Sequence, residues 1–298
     1  MSANRDLLLT ALAPLIWGST YWVTTEFLPD GYPLTVAMLR ALPAGLLLLL
    51  WVRKLPTAGW WLKILVLGGL NFSIFWWLLF VAAYRLPGGV AATVGAIQPL
   101  IVILLARLLL GTQVKRLAVV AALAGMGGIA LLILTPAASL DPLGIAAGLA
   151  GAMAMAAGTV LSRRWQAPVS PLIFTAWQLV AGGLLLLPAA LFFEPPLPSL
   201  SQTHVLGLVY LGLVSAAFTY VLWFRGVARL EPALVSSLGF LSPLSAVLIG
   251  WLLLNQSLSV LQMFAMLIVL ASVWLSHRAN QKVKISNSEP VATKARLA

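Results

Sequence analysis

The sequence contains no cysteine. That excludes disulfides, thiolate nucleophiles and cysteine-bearing metal sites. Charge is scarce as well: only 8% of the 298 residues are Asp, Glu, Lys or Arg, where a soluble domain carries about a quarter. A chain so poor in charge cannot cover a water-facing surface of its own size. There are 7 acidic residues and 2 histidines, and no HExxH pattern, phosphate-binding glycine loop or clustered metal-ligand set. The carboxylates and the histidines His204 and His277 fall near the ends of apolar runs. Hydrolytic, phosphoryl-transfer and metalloenzyme chemistry therefore have no group to work with, and no cofactor or metal is expected.

Long apolar runs take the place of charge. The composition is 61% hydrophobic, and stretches near 20 residues recur along the whole chain, the length that crosses a bilayer at about 1.5 Å rise per residue. Stretches such as Leu46–Leu50 and Ile101–Leu105 do not alternate apolar with polar residues, so a β-barrel is rejected. Backbone groups in hydrocarbon must pair within their own segment, which makes these runs helices. The fold class is an all-α, polytopic membrane protein with ten transmembrane helices. The spans fall near 6–25, 33–52, 60–83, 88–110, 116–135, 142–162, 171–193, 203–224, 232–254 and 258–277. Ala11-Leu12-Ala13 imitates a cleavage site, but the first run continues beyond it and nine more follow, so it reads as an uncleaved helix. Residues 279–298 read as a disordered polar tail.

The formal net charge of +11 invites a nucleic-acid reading, but its distribution is that of a membrane protein. Of the 18 basic residues, 15 fall in loops or tails on one side of the spans: Arg5, Arg53, Lys54, Lys63, Lys115, Arg116, Arg163, Arg164, Arg225, Arg229, Arg278, Lys282, Lys284, Lys294 and Arg296. The other side holds Arg85 with Glu26, Asp30, Asp141 and Glu194. The positive-inside rule then places both termini in the cytoplasm.

The two halves resemble each other. Arg85 through Leu110 aligns without gaps onto Arg229 through Leu254 at an offset of 144, matching Gly95 with Gly239 and Pro99 with Pro243. Pro33-Leu34 aligns with Pro171-Leu172 at an offset of 138, and the Gly-Leu-Leu-Leu-Leu runs at 45–49 and 183–187 follow in register. Each half has an odd number of spans, so the second half, 138–278, enters the membrane opposite to the first, 1–137. Inverted repeats are the architecture of many secondary transporters, with the substrate site near the midplane between repeats. The alternative is that the duplication only records gene history.

Several short motifs carry a family resemblance. Trp17-Gly18-Ser19-Thr20 in the first span, Arg40 in the second, and Gln98-Pro99-Leu100 with its partner Ser242-Pro243-Leu244 resemble the EamA-type family of the drug/metabolite transporter superfamily. The resemblance covers residues 6–277 and lies closest to the aromatic amino acid exporters of that family. It implies a protein of the bacterial inner membrane that exports aromatic and other neutral amino acids, with some tolerance for other small organic molecules. The second-half counterpart of Arg40 is Gln178, so any role of the arginine is not duplicated.

Candidate site residues follow from what is costly in hydrocarbon. Pro99 and Pro243 lie mid-span and each frees the carbonyl four residues earlier, at Gly95 and Gly239. These positions are hinges, carbonyl ligands for a substrate ammonium, or passive kinks. Arg40 either faces a substrate carboxylate through its fork-shaped guanidinium or snorkels outward. Trp22, Trp51, Trp60, Trp61 and Trp251 are placed as interfacial anchors. Trp17 with Tyr21 beside it, Trp76, Trp77, Trp177 and Tyr220 lie deeper, as lipid-facing packing or as walls of a cavity for an amphipathic solute. The amides Asn71, Gln98 and Gln178, with Ser242, are cavity candidates. Gly144-xxx-Gly148 and Gly125–Gly128 read as close helix packing. No Asp or Glu lies in a span interior, which predicts facilitated rather than strongly proton-coupled movement. Glu26 at the outer end of the first span and Glu231 at the inner start of the ninth are the exceptions, and the alternative is a proton-coupled exporter of another small metabolite or drug. The expected partners are the lipid bilayer and a small-molecule substrate, with no nucleic acid, and a monomer is compatible with the sequence.

Overall fold

A computed structural model of the protein describes residues 3–29, 31–86, 94–133, 141–253 and 259–286. Among the described residues every regular element is helical and there is no strand. The helices are α1 (Ala3–Phe27), α2 (Pro33–Val52), α3 (Trp61–Gly68), α4 (Ile74–Arg85), α5 (Gln98–Leu110), α6 (Arg116–Ile133) and α7 (Pro142–Arg164). They continue as α8 (Pro171–Phe193), α9 (Gln202–Val209), α10 (Thr219–Arg229), α11 (Pro232–Leu238), α12 (Leu241–Leu253) and α13 (Val260–Ser286). Residues 279–286, expected to begin a disordered tail, instead extend the last helix. π-helical stretches, Gly69–Ser73 and Tyr210–Phe218, join α3 to α4 and α9 to α10. Eight of the resulting rods are long and apolar enough to cross a membrane, and α5 with Arg116–Leu132 are shorter apolar helices. The outward face is apolar: Leu8, Trp51, Leu62, Phe192 and Val260 are all more than half exposed. The chain is a polytopic helical membrane protein.

Local sequence explains where the helices begin and end. Pro33, Pro142, Pro171 and Pro232 stand at first or second helical positions, where a missing N–H costs nothing. Asp141 caps α7 by accepting from the Gly144 N–H at 2.6 Å. Ser201 and His204 close a reciprocal cap on α9, satisfying donors that the helix leaves open. The α2 N-terminus is capped from far away: Glu194, just past α8, accepts from the Leu34 and Thr35 N–H groups at 2.6 and 2.7 Å.

The most extensive packing joins α2 to α8 and α6 to α13, while α7 lies against α4 and α5, and α1 against α10 and α12. The α2–α8 seam closes on small residues. A Cβ at Gly45 would stand 2.6 Å from Val180 N, and one at Gly183 would stand 2.6 Å from Leu42 Cβ. Gly68 approaches the Gln178 carbonyl and Gly212 the Arg40 carbonyl, where an added Cβ would lie at 2.9 and 3.7 Å. Without a strong hydrophobic drive between helices in lipid, such backbone approach is what holds a bundle together.

The two proline-bearing runs are broken rather than bent. The helix is interrupted at Ala96–Ile97 and at Gly239–Phe240, and it resumes as α5 and α12. The Gly239 carbonyl, released by Pro243, accepts instead from the Ser242 N–H at 3.1 Å. Pro99 falls at the start of α5, a position proline tolerates, so the energetically easier solution is a new helix start.

Candidate functional site

The inward stripe of α2 is Leu34, Ala37, Arg40, Ala41, Ala44 and Gly45, the three-and-four spacing of a buried helix face. Small neighbours on that face let the arginine lie flat inside the bundle. Arg40 is only 8% exposed. One guanidinium nitrogen, Nη2, donates to the Ser215 carbonyl at 3.0 Å and to the Ser215 hydroxyl at 2.9 Å. That hydroxyl also pairs with Thr20 Oγ1 at 2.9 Å. The guanidinium carbon Cζ lies over the Trp76 ring, 4.6 Å from its centre. A cation stacked on indole is well placed, because the ring face is negative and the surroundings are dry.

Trp76 opens onto a packed aromatic box. Its ring stands 5.2 Å from Phe72 and 6.3 Å from Tyr220. Tyr220 in turn lies 4.6 Å from Phe72 and 4.9 Å from Trp17, and Trp17 lies 5.0 Å from Trp223. The Trp17 indole N–H donates to Thr219 Oγ1 at 2.9 Å. From the box a column of rings continues through Phe224 and Phe174 to Trp60 at the end of the bundle. Tilted and edge-on contacts dominate, as ring quadrupoles prefer. Tyr220, Trp223 and Phe72 are at most 2% exposed and Trp76 is 3% exposed, while Trp17 is partly buried, so the central rings are shut away in this conformation.

A second polar cluster mirrors the first. Asn71 donates through Nδ2 to Gln178 Oε1 at 2.8 Å and to Ser162 Oγ at 3.3 Å. Both amides are fully buried. Asn71 Oδ1 and Trp223 Nε1 have no hydrogen-bond partner among the described residues, and Oδ1 lies packed against Gly158. The two π-helical stretches contain Asn71 and Ser215, and each precedes the box residue of its own rod, Trp76 or Tyr220. Such widened turns often stand at functional sites.

The structure thus brings Trp17, Arg40, Trp76 and Tyr220 into one cluster and Asn71 with Gln178 into another. Trp177 is held elsewhere, its indole N–H donating to the Lys54 carbonyl at 2.6 Å at one end of the α2–α8 pair. Gln98 and Ser242 are half-buried at the starts of α5 and α12, beside the breaks at Gly95/Pro99 and Gly239/Pro243. The Tyr21 side chain lies outside the described residues. Sequence reasoning missed Phe72, Trp223 and Phe224. Thr219, Tyr220, Trp223, Phe224 and Val227 form a buried stripe at helical spacing, and that periodicity was the available signal. It also missed Asp6, which accepts from Arg225 Nη2 at 2.8 Å and from Arg229 Nη1 at 3.3 Å. Nearby, Arg163 donates to the Ala228 carbonyl and Gln166 to the same oxygen at 2.9 Å. These contacts tie α1, α7 and α10 together at one end.

Comparison with known proteins gives a consistent family. Residues 5–134 and again 142–278 match the EamA-like transporter family. Protein PecM of Dickeya dadantii is 45% identical over 287 residues, covering 94% of this chain and 96% of that protein. The uncharacterized inner membrane transporter YedA of Escherichia coli K12 is 32% identical over 269 residues, covering 88% and 87%. One solved crystal structure superposes with a TM-score of 0.81 over 95% of this chain and 100% of the other, at 20% identity; that likeness concerns the fold alone. With a buried arginine and an aromatic box inside apolar helices, and two family matches that together span nearly all of its length, the chain belongs to the EamA-like transporter family, a multi-pass membrane transporter and not an enzyme.

Proposed function

We propose that the protein exports amino acids, aromatic and other neutral ones, across the bacterial inner membrane by alternating access. The observation that carries the reading is Arg40, buried at 8% exposure and stacked on Trp76 at the edge of the aromatic box. A carboxylate taking the place of Ser215 meets a fork-shaped donor, and an apolar or aromatic side chain meets Trp17, Phe72, Trp76 and Tyr220. Asn71 Oδ1 is a buried acceptor suited to an ammonium group. Gln98, Gln178, Ser242, Tyr21 and Trp177 complete the proposed cavity in other conformations. A permanent cation would favour a carboxylate inside the membrane, and a sugar phosphate several basic groups. The sparse charges here fit a zwitterion best.

In this reading the architecture is ten spans in two inverted five-helix halves, 1–137 and 138–278, with the tail 279–298 and both termini in the cytoplasm. Reciprocal contacts support it. At the offset of 138 Gly45 corresponds to Gly183 and Leu42 to Val180, so the contact of Gly45 with Val180 repeats as that of Gly183 with Leu42. Gly68 against Gln178 repeats as Gly212 against Arg40. The family matches twice, once in each half. The placement of 15 of 18 basic residues supports the orientation. Breaks at Gly95/Pro99 and Gly239/Pro243 serve as hinges for rocking of the halves, and transport is facilitative.

The test is uptake of radiolabelled phenylalanine or tryptophan by proteoliposomes, with and without a pH gradient, for the wild type and Arg40→Ala. Saturable uptake indifferent to the gradient, lost in the variant, supports the reading. No uptake by folded protein removes amino acids as substrates. A second reading is proton-coupled movement of another metabolite or drug, with the exposed carboxylates Glu26 and Glu231 as the groups to carry the proton. Uptake driven by a pH gradient alone and lost in Glu26→Gln or Glu231→Gln would select it.

A further inference from the structure

The two polar clusters are counterparts across the repeat. Arg40 and Gln178 are related by the offset of 138, and Ser215 and Asn71 by the offset of 144 that pairs Tyr220 with Trp76. Each cluster is completed by a hydroxyl from the first helix of a half, Thr20 on α1 or Ser162 on α7. Each also crosses between halves. Arg40 and Thr20 belong to the first half and Ser215 to the second, while Asn71 belongs to the first and Gln178 with Ser162 to the second. Both clusters are formed at once around a box whose central rings are buried. Rocking the halves apart at one face must therefore break one cluster and can keep the other.

We propose that these clusters are the two gates of the transport path, and that Ser215 is the group a substrate anion must displace from Arg40 to open the outer one. This rests on the repeat, orientation and carboxylate readings above. Seven residues separate Arg40 from the start of α2, on the outer side, and seven separate Gln178 from the start of α8, on the cytoplasmic side. The outer gate is charge-assisted and the inner gate is neutral, and charge-assisted bonds are roughly twice as strong. The empty carrier therefore opens inward more readily than outward. It presents Arg40 to cytoplasmic substrate, whose carboxylate then replaces the Ser215 acceptors and removes the stronger restraint. The gradient still sets the direction of net flow. The gates set which face loads first, a property that suits an exporter.

The absence of cysteine makes the test direct. Ala37 and Thr175 correspond at the offset of 138, stand three residues nearer the outer face than Arg40 and three nearer the cytoplasmic face than Gln178, and are 1% and 0% exposed. Single Ala37→Cys and Thr175→Cys chains in membrane vesicles of known orientation are reacted with an impermeant maleimide, without substrate. Thr175→Cys should react from the cytoplasmic face faster than Ala37→Cys reacts from the outer face. Arg40→Gln should speed the Ala37→Cys reaction on the order of tenfold, the effect of losing one charge-assisted bond from an opening equilibrium, and should not speed Thr175→Cys. Asn71→Ala should do the converse. Tryptophan should speed the Ala37→Cys reaction while Arg40 is present and should not speed it in the Arg40→Gln background. Ala37→Cys labelling that neither Arg40→Gln nor Ser215→Ala changes overturns the gate assignment. Because labelling needs no substrate, gates that respond in a chain that takes up no amino acid would refute the substrate reading alone. Uptake with unresponsive gates would refute this one alone.

Discussion

Replacing Gly183 by alanine tests the seam between α2 and α8. The new Cβ would stand 2.6 Å from Leu42 Cβ and 2.8 Å from its Cα and N. Two of those atoms are backbone, so the helices must separate rather than a side chain rotate away. Such overpacking costs about 1–3 kcal/mol. Against it runs the general gain from glycine to alanine in a helix, about 0.5–1 kcal/mol. Gly127 supplies the control, since it lies in α6 with nothing within 4 Å of its would-be Cβ. The propensity gain is common to both variants, so their difference isolates the contact at about 1–3 kcal/mol. That amounts to several degrees of melting temperature for a chain of this size. Thermal unfolding in one detergent, followed by tryptophan fluorescence, measures it. Gly45→Ala should fall with Gly183→Ala, because its contact with Val180 is the reciprocal one. The double variant should cost less than the two singles together, since the first separation relieves the second. Equal melting temperatures for Gly183→Ala and Gly127→Ala would refute the argument.

Other consequences are open to simple measurement. Glu194→Ala removes the distant cap from Leu34 and Thr35 and should lower stability by about 1–2 kcal/mol, with Glu194→Gln less harmful because it keeps a neutral acceptor; denaturation in detergent reads both. Asp6→Asn weakens the tie to Arg225 and Arg229, so the wild type should lose stability with added salt while the variant does not; the effect is at most about 1 kcal/mol for so solvent-accessible a pair. Trp17→Phe loses the bond to Thr219 and part of the ring contact with Tyr220 and Trp223, which should cost at least roughly 0.5–1.5 kcal/mol and lower the melting temperature in detergent. Pro99→Ala and Pro243→Ala restore the missing backbone donors, and the continuous helices that result should slow turnover while leaving substrate affinity unchanged in a binding assay.

The membrane character, the helical class and the positions of most helices were legible in the sequence because the bilayer imposes a one-dimensional rule. Apolar length, proline at a helix start and basic residues in loops can each be read without knowing any neighbour. Ala37, Ala41 and Ala44 share a helical face with Arg40, but in a helix apolar all round that spacing left both orientations of Arg40 open and said nothing of what it meets. Its acceptor, Ser215, lies 175 residues away, and the stacking on Trp76 depends on α4 lying against α2. The same holds for Asn71 and Gln178, 107 residues apart, which chemistry marks only as two amides in need of partners. The breaks before Pro99 and Pro243 were visible as missing donors, but whether a helix bends or restarts depends on what the freed carbonyl finds. Composition and local pattern therefore determined that the chain lies in a membrane and which residues would be costly there. Only the tertiary packing decided how those residues share the cost, because a buried polar group takes its partner from whichever helix the glycine seams bring within reach.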